Sequence, residues 1–154
     1  MKKLADYLEG YNKDPFRRYH VLVVVKPGFT NLLGTLSDIF VKNGYKIVKT
    51  TSKKLLLSEA KNLYKIHKKE DFYKDLCEYM SSGISTAFIL KKVTDNIFED
   101  FSKIKDEIRE KYGISEMKNV IHSSDSYINF THEAGIYFYN VNQIDLLGKK
   151  VVRE

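Results

Sequence analysis

The sequence predicts an α+β domain in which a four-stranded antiparallel sheet is covered by helices. Residues 21–25 are a continuous, mostly β-branched run, which is typical of a strand buried on both faces. Between Ile97 and Ile108, apolar residues recur at helical spacing. Strand-like and helix-like segments alternate along a chain of 154 residues, a length typical of one domain.

The first part of the chain predicts a strand, a helix and a second strand. The run at 21–25 stops at a Lys-Pro-Gly sequence, where proline and glycine favour a turn. Either Thr30 or Asn31 can cap the helix that follows, and Asn-Gly at 43–44 ends it. Residues 45–53 alternate enough to form the second strand.

Two short helices and a third strand are predicted next. Ser58 can cap the first helix, and the second begins near Glu70. Ser-Gly at 82–83 breaks the second helix, and residues 84–90 form the third strand.

The last part of the chain predicts a long helix, a loop, a short helix and a fourth strand. Thr94 or Asp95 caps the long helix, which Gly113 closes before the loop. Residues 126–133 can form the short helix, and residues 136–139 the last strand. A ferredoxin-like split βαβ sandwich uses this order of elements.

Composition favours an intracellular protein and leaves two interpretations of its positive charge open. The formal net charge of +6 suits nucleotides, nucleic acid or acidic surfaces, although scattered lysines also serve solubility alone. The single Cys77 cannot form an internal disulfide, and no apolar run approaches the ~20 residues that span a bilayer. We read no secretory peptide in the start of the chain and expect a cytoplasmic protein without membrane contact. Residues 1–18 read as an N-terminal extension and residues 19–154 as the domain.

His122 is the candidate catalytic residue. It stands after an apolar pair and before small polar residues, in Asn-Val-Ile-His-Ser-Ser-Asp-Ser at 119–126. Imidazole is a good nucleophile for phosphoryl transfer when a carboxylate holds its other nitrogen, and Glu133 and Ser124 are the candidate supports. The alternative is a surface histidine in a serine-rich loop.

This octapeptide resembles the active-site signature of nucleoside diphosphate kinases, Asn-Ile-Ile-His-Gly-Ser-Asp-Ser. Glu133 stands eleven residues after the histidine, at the family's spacing, and residues 134–138 are similar to the family's final strand. Val-Lys-Pro-Gly at 25–28 and the segment 63–83 also resemble family motifs, so that the similarity covers roughly residues 20–140.

The resemblance implies a role for each matching residue. Glu133 and Ser124 would orient His122. Phe72 would stack on the base, with Leu76 beside it. The other residues would bind phosphate or sugar: Lys26, Tyr64, Arg109, Lys118 and Asn119. Each also has a structural alternative, and for Arg109 this is a solvated helix face.

The chain departs from the family between Gly83 and His122, where it is shorter. The family's projecting Kpn loop is replaced here by one amphipathic helix, and a further phosphate-binding arginine and threonine have no clear match. Lys103 and Lys105 are the nearby basic residues, and neither can be assigned to that place. Lys118 replaces a family arginine and keeps its charge without its planar fork.

Three functions follow from these observations. The first is phosphoryl transfer from ATP and other nucleoside triphosphates to diphosphates, by a ping-pong route through a phosphohistidine, with Mg²⁺ carried on the phosphates. The second is a catalytically weak nucleotide-binding relative. The third, a nucleic-acid binder, lacks the basic and aromatic motif of a known module. Because the Kpn loop builds the family's trimer contacts, we expect a homodimer rather than a hexamer.

Overall fold

The computed structural model describes residues 19–138. The predicted extension, residues 1–18, lies outside the described residues, as do residues 139–154, so the domain boundary at residue 19 stays a prediction. Among the described residues, no helix is both long and apolar enough to cross a bilayer.

In the described part of the chain, four strands form one antiparallel sheet in the order β2-β3-β1-β4, which confirms the predicted ferredoxin-like arrangement. The strands are β1 His20–Val25, β2 Lys46–Lys54, β3 Ile84–Lys91 and β4 Ile121–Ser123. β1 lies inside the sheet, between β3 and β4, and its side chains are buried on both faces. The sequence predicted this burial from the continuous apolar run.

Within residues 19–138, five α-helices cover the sheet. They are α1 Leu33–Lys42, α2 Leu57–Leu63, α3 Tyr73–Met80, α4 Ile97–Tyr112 and α5 Tyr127–Phe138. Alternate residues of β1 point to opposite faces and enter two separate apolar clusters. Val21, Val23 and Val25 pack with side chains of α1 and α4, whereas Leu22 and Val24 pack with those of α2, α3 and α5.

The prediction of a last strand at residues 136–139 was wrong for its described part. Residues 136–138 continue helix α5, and the fourth strand is β4, inside the segment predicted as a loop. A short apolar run fits a buried strand or a buried helix equally well. Here the segment is helical because Phe130, Ala134 and Phe138, spaced four residues apart, pack together in one apolar cluster.

The helix starts also differ from the predicted caps. A 3₁₀ turn at Thr30–Leu32 precedes α1, so neither Thr30 nor Asn31 caps it by its side chain. At α4 the cap is Asn96, whose side-chain oxygen accepts hydrogen bonds from the N–H groups of Phe98 and Glu99. Leu56, rather than Ser58, precedes α2, and its N–H donates to the Glu59 carboxylate.

The turn after β1 forms as its sequence predicts. Pro27 and Gly28 occupy the central positions, Gly28 has φ 91°, and the Phe29 N–H donates to the Lys26 carbonyl at 3.2 Å. Glycine suits this position because other residues rarely adopt positive φ. The turn leaves Lys26 at the end of β1, beside the start of β4.

Candidate active site

His122 lies at the centre of β4, the outer strand beside β1. It pairs with Val24, and the side chains of Ile121 and Ser123 on either side are buried. Because side chains alternate along a strand, His122 points to the opposite face from Ile121, toward α2 and α5. Its side chain is 18% exposed, so the ring is held by the fold and still reaches solvent.

A strained turn leads into β4. Val120 has φ 80°, in the left-handed region that β-branched residues rarely adopt, and the Ile121 N–H donates to the Asn119 carbonyl at 3.0 Å. The Val120 carbonyl accepts the Lys26 N–H at 2.8 Å. The surrounding contacts therefore hold a costly conformation that brings Lys26 close to the histidine strand.

Glu133 of α5 holds the imidazole. Its carboxylate accepts a hydrogen bond from His122 Nε2, and the Glu133 side chain is 7% exposed. A carboxylate at Nε2 favours the tautomer whose proton is on Nε2, which leaves the lone pair on Nδ1. Nδ1 is then the nucleophilic nitrogen.

Ser124 is buried one residue beyond β4. Its Oγ accepts a hydrogen bond from the Leu22 N–H at 2.9 Å, and its N–H donates to the Leu22 carbonyl at 2.9 Å. The described contacts of Ser124 thus fix β4 to β1 rather than touching His122 or Glu133. A hydroxyl that accepts one hydrogen bond retains a proton to donate, and its predicted role in orienting His122 stays a prediction.

A cavity of about 410 Å³ opens beside His122. Its lining combines cationic, aromatic and apolar side chains: Lys26, Tyr64, His67, Phe72, Leu76, Arg109, Glu116, Met117 and His122. Six of the residues predicted for the site therefore line the same cavity. Such a pocket, mostly apolar with a few converging polar groups, is typical of small-molecule sites.

Lys26 supplies one cation of the cavity. It is 4% exposed, and its Nζ donates to the Met117 carbonyl at 3.1 Å. Burial, together with the nearby charges of Arg109 and Lys105, lowers the pKa of Lys26 to about 7. An anion in the cavity would act in the opposite direction and favour the charged ammonium.

Arg109 supplies a second cation. Its Nε and Nη2 both donate to the Ile121 carbonyl, at 3.2 and 2.8 Å, so the guanidinium covers the outer edge of β4. Burial lowers the pKa of Arg109, although arginine stays charged in proteins. The alternative of a fully solvated helix face is therefore wrong, because the side chain lines the cavity.

Tyr64 follows α2 and faces the histidine. Its ring lies edge-on to that of His122, with centroids 5.3 Å apart. The Tyr64 hydroxyl is buried and has no hydrogen-bond partner among the described residues. A buried hydroxyl without a partner is costly, so a ligand that hydrogen-bonds to it would remove that cost.

Phe72 and Leu76 form the apolar wall of the cavity. Phe72 is 45% exposed, unusually open for so large an apolar side chain, whereas Leu76 is buried. His67 packs against Phe72, with ring centroids 5.4 Å apart, and was missed by the sequence reasoning. Its position three residues after Tyr64 is the sequence signal that could have predicted His67 in the cavity lining.

The structure does not bring Lys118 into the cavity lining. The Lys118 ammonium lies 5.8 Å from the centre of the Tyr79 ring, and the side chain is exposed. Asn119 lies beside the cavity: its Nδ2 donates to the Glu116 carbonyl at 2.8 Å. The Asn119 Oδ1 is buried without a partner among the described residues and could accept a ligand hydroxyl.

Comparison with known proteins identifies the family. The family model for nucleoside diphosphate kinase matches residues 20–142. The chain belongs to the nucleoside diphosphate kinase family. The nucleoside diphosphate kinase of Fervidobacterium nodosum is 34% identical over 133 residues, which cover 80% of this chain and 90% of the relative. That of Kosmotoga olearia is 31% identical over 122 residues, covering 74% and 83%.

A solved structure agrees with this assignment. The crystal structure of the Aquifex aeolicus nucleoside diphosphate kinase matches with a TM-score of 0.66 and 27% identity. The match covers 77% of this chain and 93% of the Aquifex chain. The chain is therefore a nucleotide-binding phosphotransferase of the nucleoside diphosphate kinase family, with the ferredoxin-like fold.

Proposed function

We propose that the chain transfers the γ-phosphoryl group of a nucleoside triphosphate to a nucleoside diphosphate through a phosphohistidine at His122. The observation that carries the proposal is the hydrogen bond from His122 Nε2 to the buried Glu133, at the edge of a cavity with two cations. This pair supplies a nucleophile of fixed tautomer, and the cations supply the charge that a polyphosphate requires.

In the first half-reaction, Nδ1 attacks the γ-phosphorus. A nitrogen–phosphorus bond forms, the bond from phosphorus to the bridging oxygen breaks, and the diphosphate leaves with that electron pair. Glu133 keeps the Nε2 proton hydrogen-bonded while the ring becomes positive. Lys26 and Arg109 stabilise the negative charge on the phosphoryl oxygens.

In the second half-reaction, a different diphosphate enters the same cavity. Its terminal oxygen attacks the phosphorus, the nitrogen–phosphorus bond breaks, and the lone pair returns to Nδ1. The enzyme regains its starting state without a change in oxidation or net proton count. Because one cavity serves donor and acceptor, the kinetics should be ping-pong.

The cavity supports base recognition by stacking. The open ring of Phe72 offers an apolar face, and Leu76 lies beside it. Stacking accepts any base, because every base has a π-face. We therefore expect low selectivity among nucleobases.

Magnesium is expected to arrive with the nucleotide. Among the described residues, no group of three His, Cys, Asp or Glu side chains could hold a metal ion, and Glu116 is the one carboxylate in the cavity lining. The residues present therefore fit phosphate oxygens better than a bare cation. When bound, Mg²⁺ would neutralise part of the phosphate charge, beside the charges that Lys26 and Arg109 supply.

A phosphorylation assay tests the proposal. The protein is incubated with ATP labelled at the γ-phosphate, and we expect an acid-labile label that GDP removes as labelled GTP. The alternative, a catalytically weak nucleotide-binding relative, predicts nucleotide binding without rapid labelling. A cytoplasmic location stays the prediction made from the sequence.

A further inference from the structure

Lys105 lies on the same face of α4 as Arg109. The two residues are four positions apart, a spacing that places side chains next to each other on a helix. Lys105 is half-buried and lines a second cavity, of about 600 Å³, together with Ser123, Ser124 and Asp125. This cavity therefore adjoins the catalytic site along β4, on the far side of His122.

Charges of the catalytic site act on Lys105. The charge of Arg109 disfavours that of Lys105, whereas Asp106, Asp125 and Glu133 favour it. The charge of Lys105 in turn lowers the pKa of Lys26. Burial, followed by Arg109, lowers the pKa of Lys105. Lys26 and Arg109 line the cavity that holds His122, and Lys105 lines the adjoining cavity beside Ser123, so that the three cations lie on the two sides of the histidine strand.

The Lys105 ammonium has no hydrogen bond or ion pair to any described residue. An ammonium carries three N–H donors, and a half-buried one without acceptors is costly to hold among like charges. An anion bound between the three cations would accept hydrogen bonds from the ammonium and would offset the repulsion between the like charges. The helix could otherwise have placed this lysine in solvent, as it does with Lys103.

We propose that Lys105 is a third phosphate-binding cation of the active site, which contacts the terminal phosphoryl group of a bound nucleoside triphosphate. The inference rests on the proposed function insofar as it places the nucleotide's phosphates beside His122. Lys105 takes no part in bond making. It binds the oxygens of the group that is transferred, at the end of the phosphate chain farthest from Phe72.

Equilibrium binding tests this role without turnover. The affinities for AMP, ADP and a non-hydrolysable ATP analogue with an imido bridge are measured by calorimetry, with Mg²⁺, for the wild type and for Lys105→Gln. We expect a loss of about ten-fold or more for the ATP analogue, less for ADP and none for AMP. Lys105→Arg keeps the charge and should restore most of the affinity.

Lys103→Gln is the matched control, because it removes the same charge from the same helix on its exposed side. It should leave all three affinities unchanged. Equal affinity of Lys105→Gln and wild type for the ATP analogue would overturn the inference, and so would an equal loss for AMP or no nucleotide binding by the wild type. Lys105-dependent binding in a protein that forms no phosphohistidine would instead overturn only the proposed function.

Discussion

At the scale of single residues, the site depends on two side chains from different elements. His122 comes from β4 and Glu133 from α5, and the ten residues between them form the strand end, a turn and the first half of the helix. The sequence signature predicted this pair because a short motif indicates the chemical role of its residues even where the secondary structure around them is predicted incorrectly. The loop predicted around His122 is a strand, which holds the ring more rigidly than a loop would.

His122→Ala should abolish phosphoprotein formation and phosphate exchange between nucleotides, while the chain stays folded. The ring is partly exposed, so its loss removes the nucleophile without emptying the core. His132→Ala is the matched control, since His132 contacts the Asn62 carbonyl rather than the cavity. Undiminished exchange in His122→Ala would contradict the assignment.

Glu133→Gln should slow phosphoryl transfer by ~10²–10⁴-fold with little change in nucleotide affinity. The amide oxygen can still accept from Nε2, but it cannot balance the positive ring that forms during transfer. Rapid-quench measurement of the labelling rate, beside calorimetric affinities, separates the two effects. Glu116→Gln removes a cavity charge that does not touch His122 and should keep the labelling rate. Weak ADP binding with normal labelling in Glu133→Gln would show another role.

Nucleotide binding should take up a proton at Lys26 between its pKa of about 7 in the free enzyme and its higher pKa in the complex. The free enzyme has a Lys26 pKa of about 7, so above that pH most of the ammonium is neutral. A bound phosphate raises the pKa, and affinity must then fall as pH rises through this window. Calorimetry in buffers of different ionisation enthalpy measures the uptake, which Lys26→Arg should remove. Equal heats in all buffers for the wild type would argue against it.

At the scale of elements, the first three strands and the long helix could be predicted because their apolar periodicity is strong. Residues 21–25 and the stripe of α4 fall within the predicted elements almost to the residue. The fourth strand could not be found, because β4 has only three residues, too few for any period. The cavity lining was predicted only where family motifs exist, which is why His67 was missed. Lys118 lies outside this lining, and its role in nucleotide binding stays a prediction.

Asn96→Ala should lower the free energy of unfolding by ~1 kcal/mol. The Asn96 side chain accepts from two N–H groups in the first turn of α4, at 3.1 and 3.2 Å, and alanine cannot replace it. Thr94→Ala is the control, because the structure gives Thr94 no part in the cap. Urea denaturation of both variants measures their free energies of unfolding. A larger decrease for Thr94→Ala than for Asn96→Ala would show that Thr94 caps the helix, as the sequence suggested.

At the scale of the whole molecule, α4 determines which surfaces remain for assembly. It runs unbroken from Ile97 to Tyr112, so no loop projects from residues 97–112. A trimer contact that depends on such a loop has no counterpart there. Among residues 19–138, β2 is the other edge strand of the sheet and has one paired neighbour, and its residues alternate between exposed and half-buried. An open edge strand is a ready surface for pairing with another chain.

We predict a homodimer formed through β2 and α1. Val48 on β2 and Val41 on α1 are exposed apolar side chains, 37% and 60% accessible, that a two-fold contact would cover. Light scattering during size-exclusion chromatography should give the mass of two 18.0 kDa chains. Val48→Glu should shift it to one chain, because a buried carboxylate without a partner is costly. Ile114→Glu, at an exposed apolar position that follows α4 on the side of the sheet opposite β2, should remain dimeric. A mass near six chains would contradict the assembly inferred from α4.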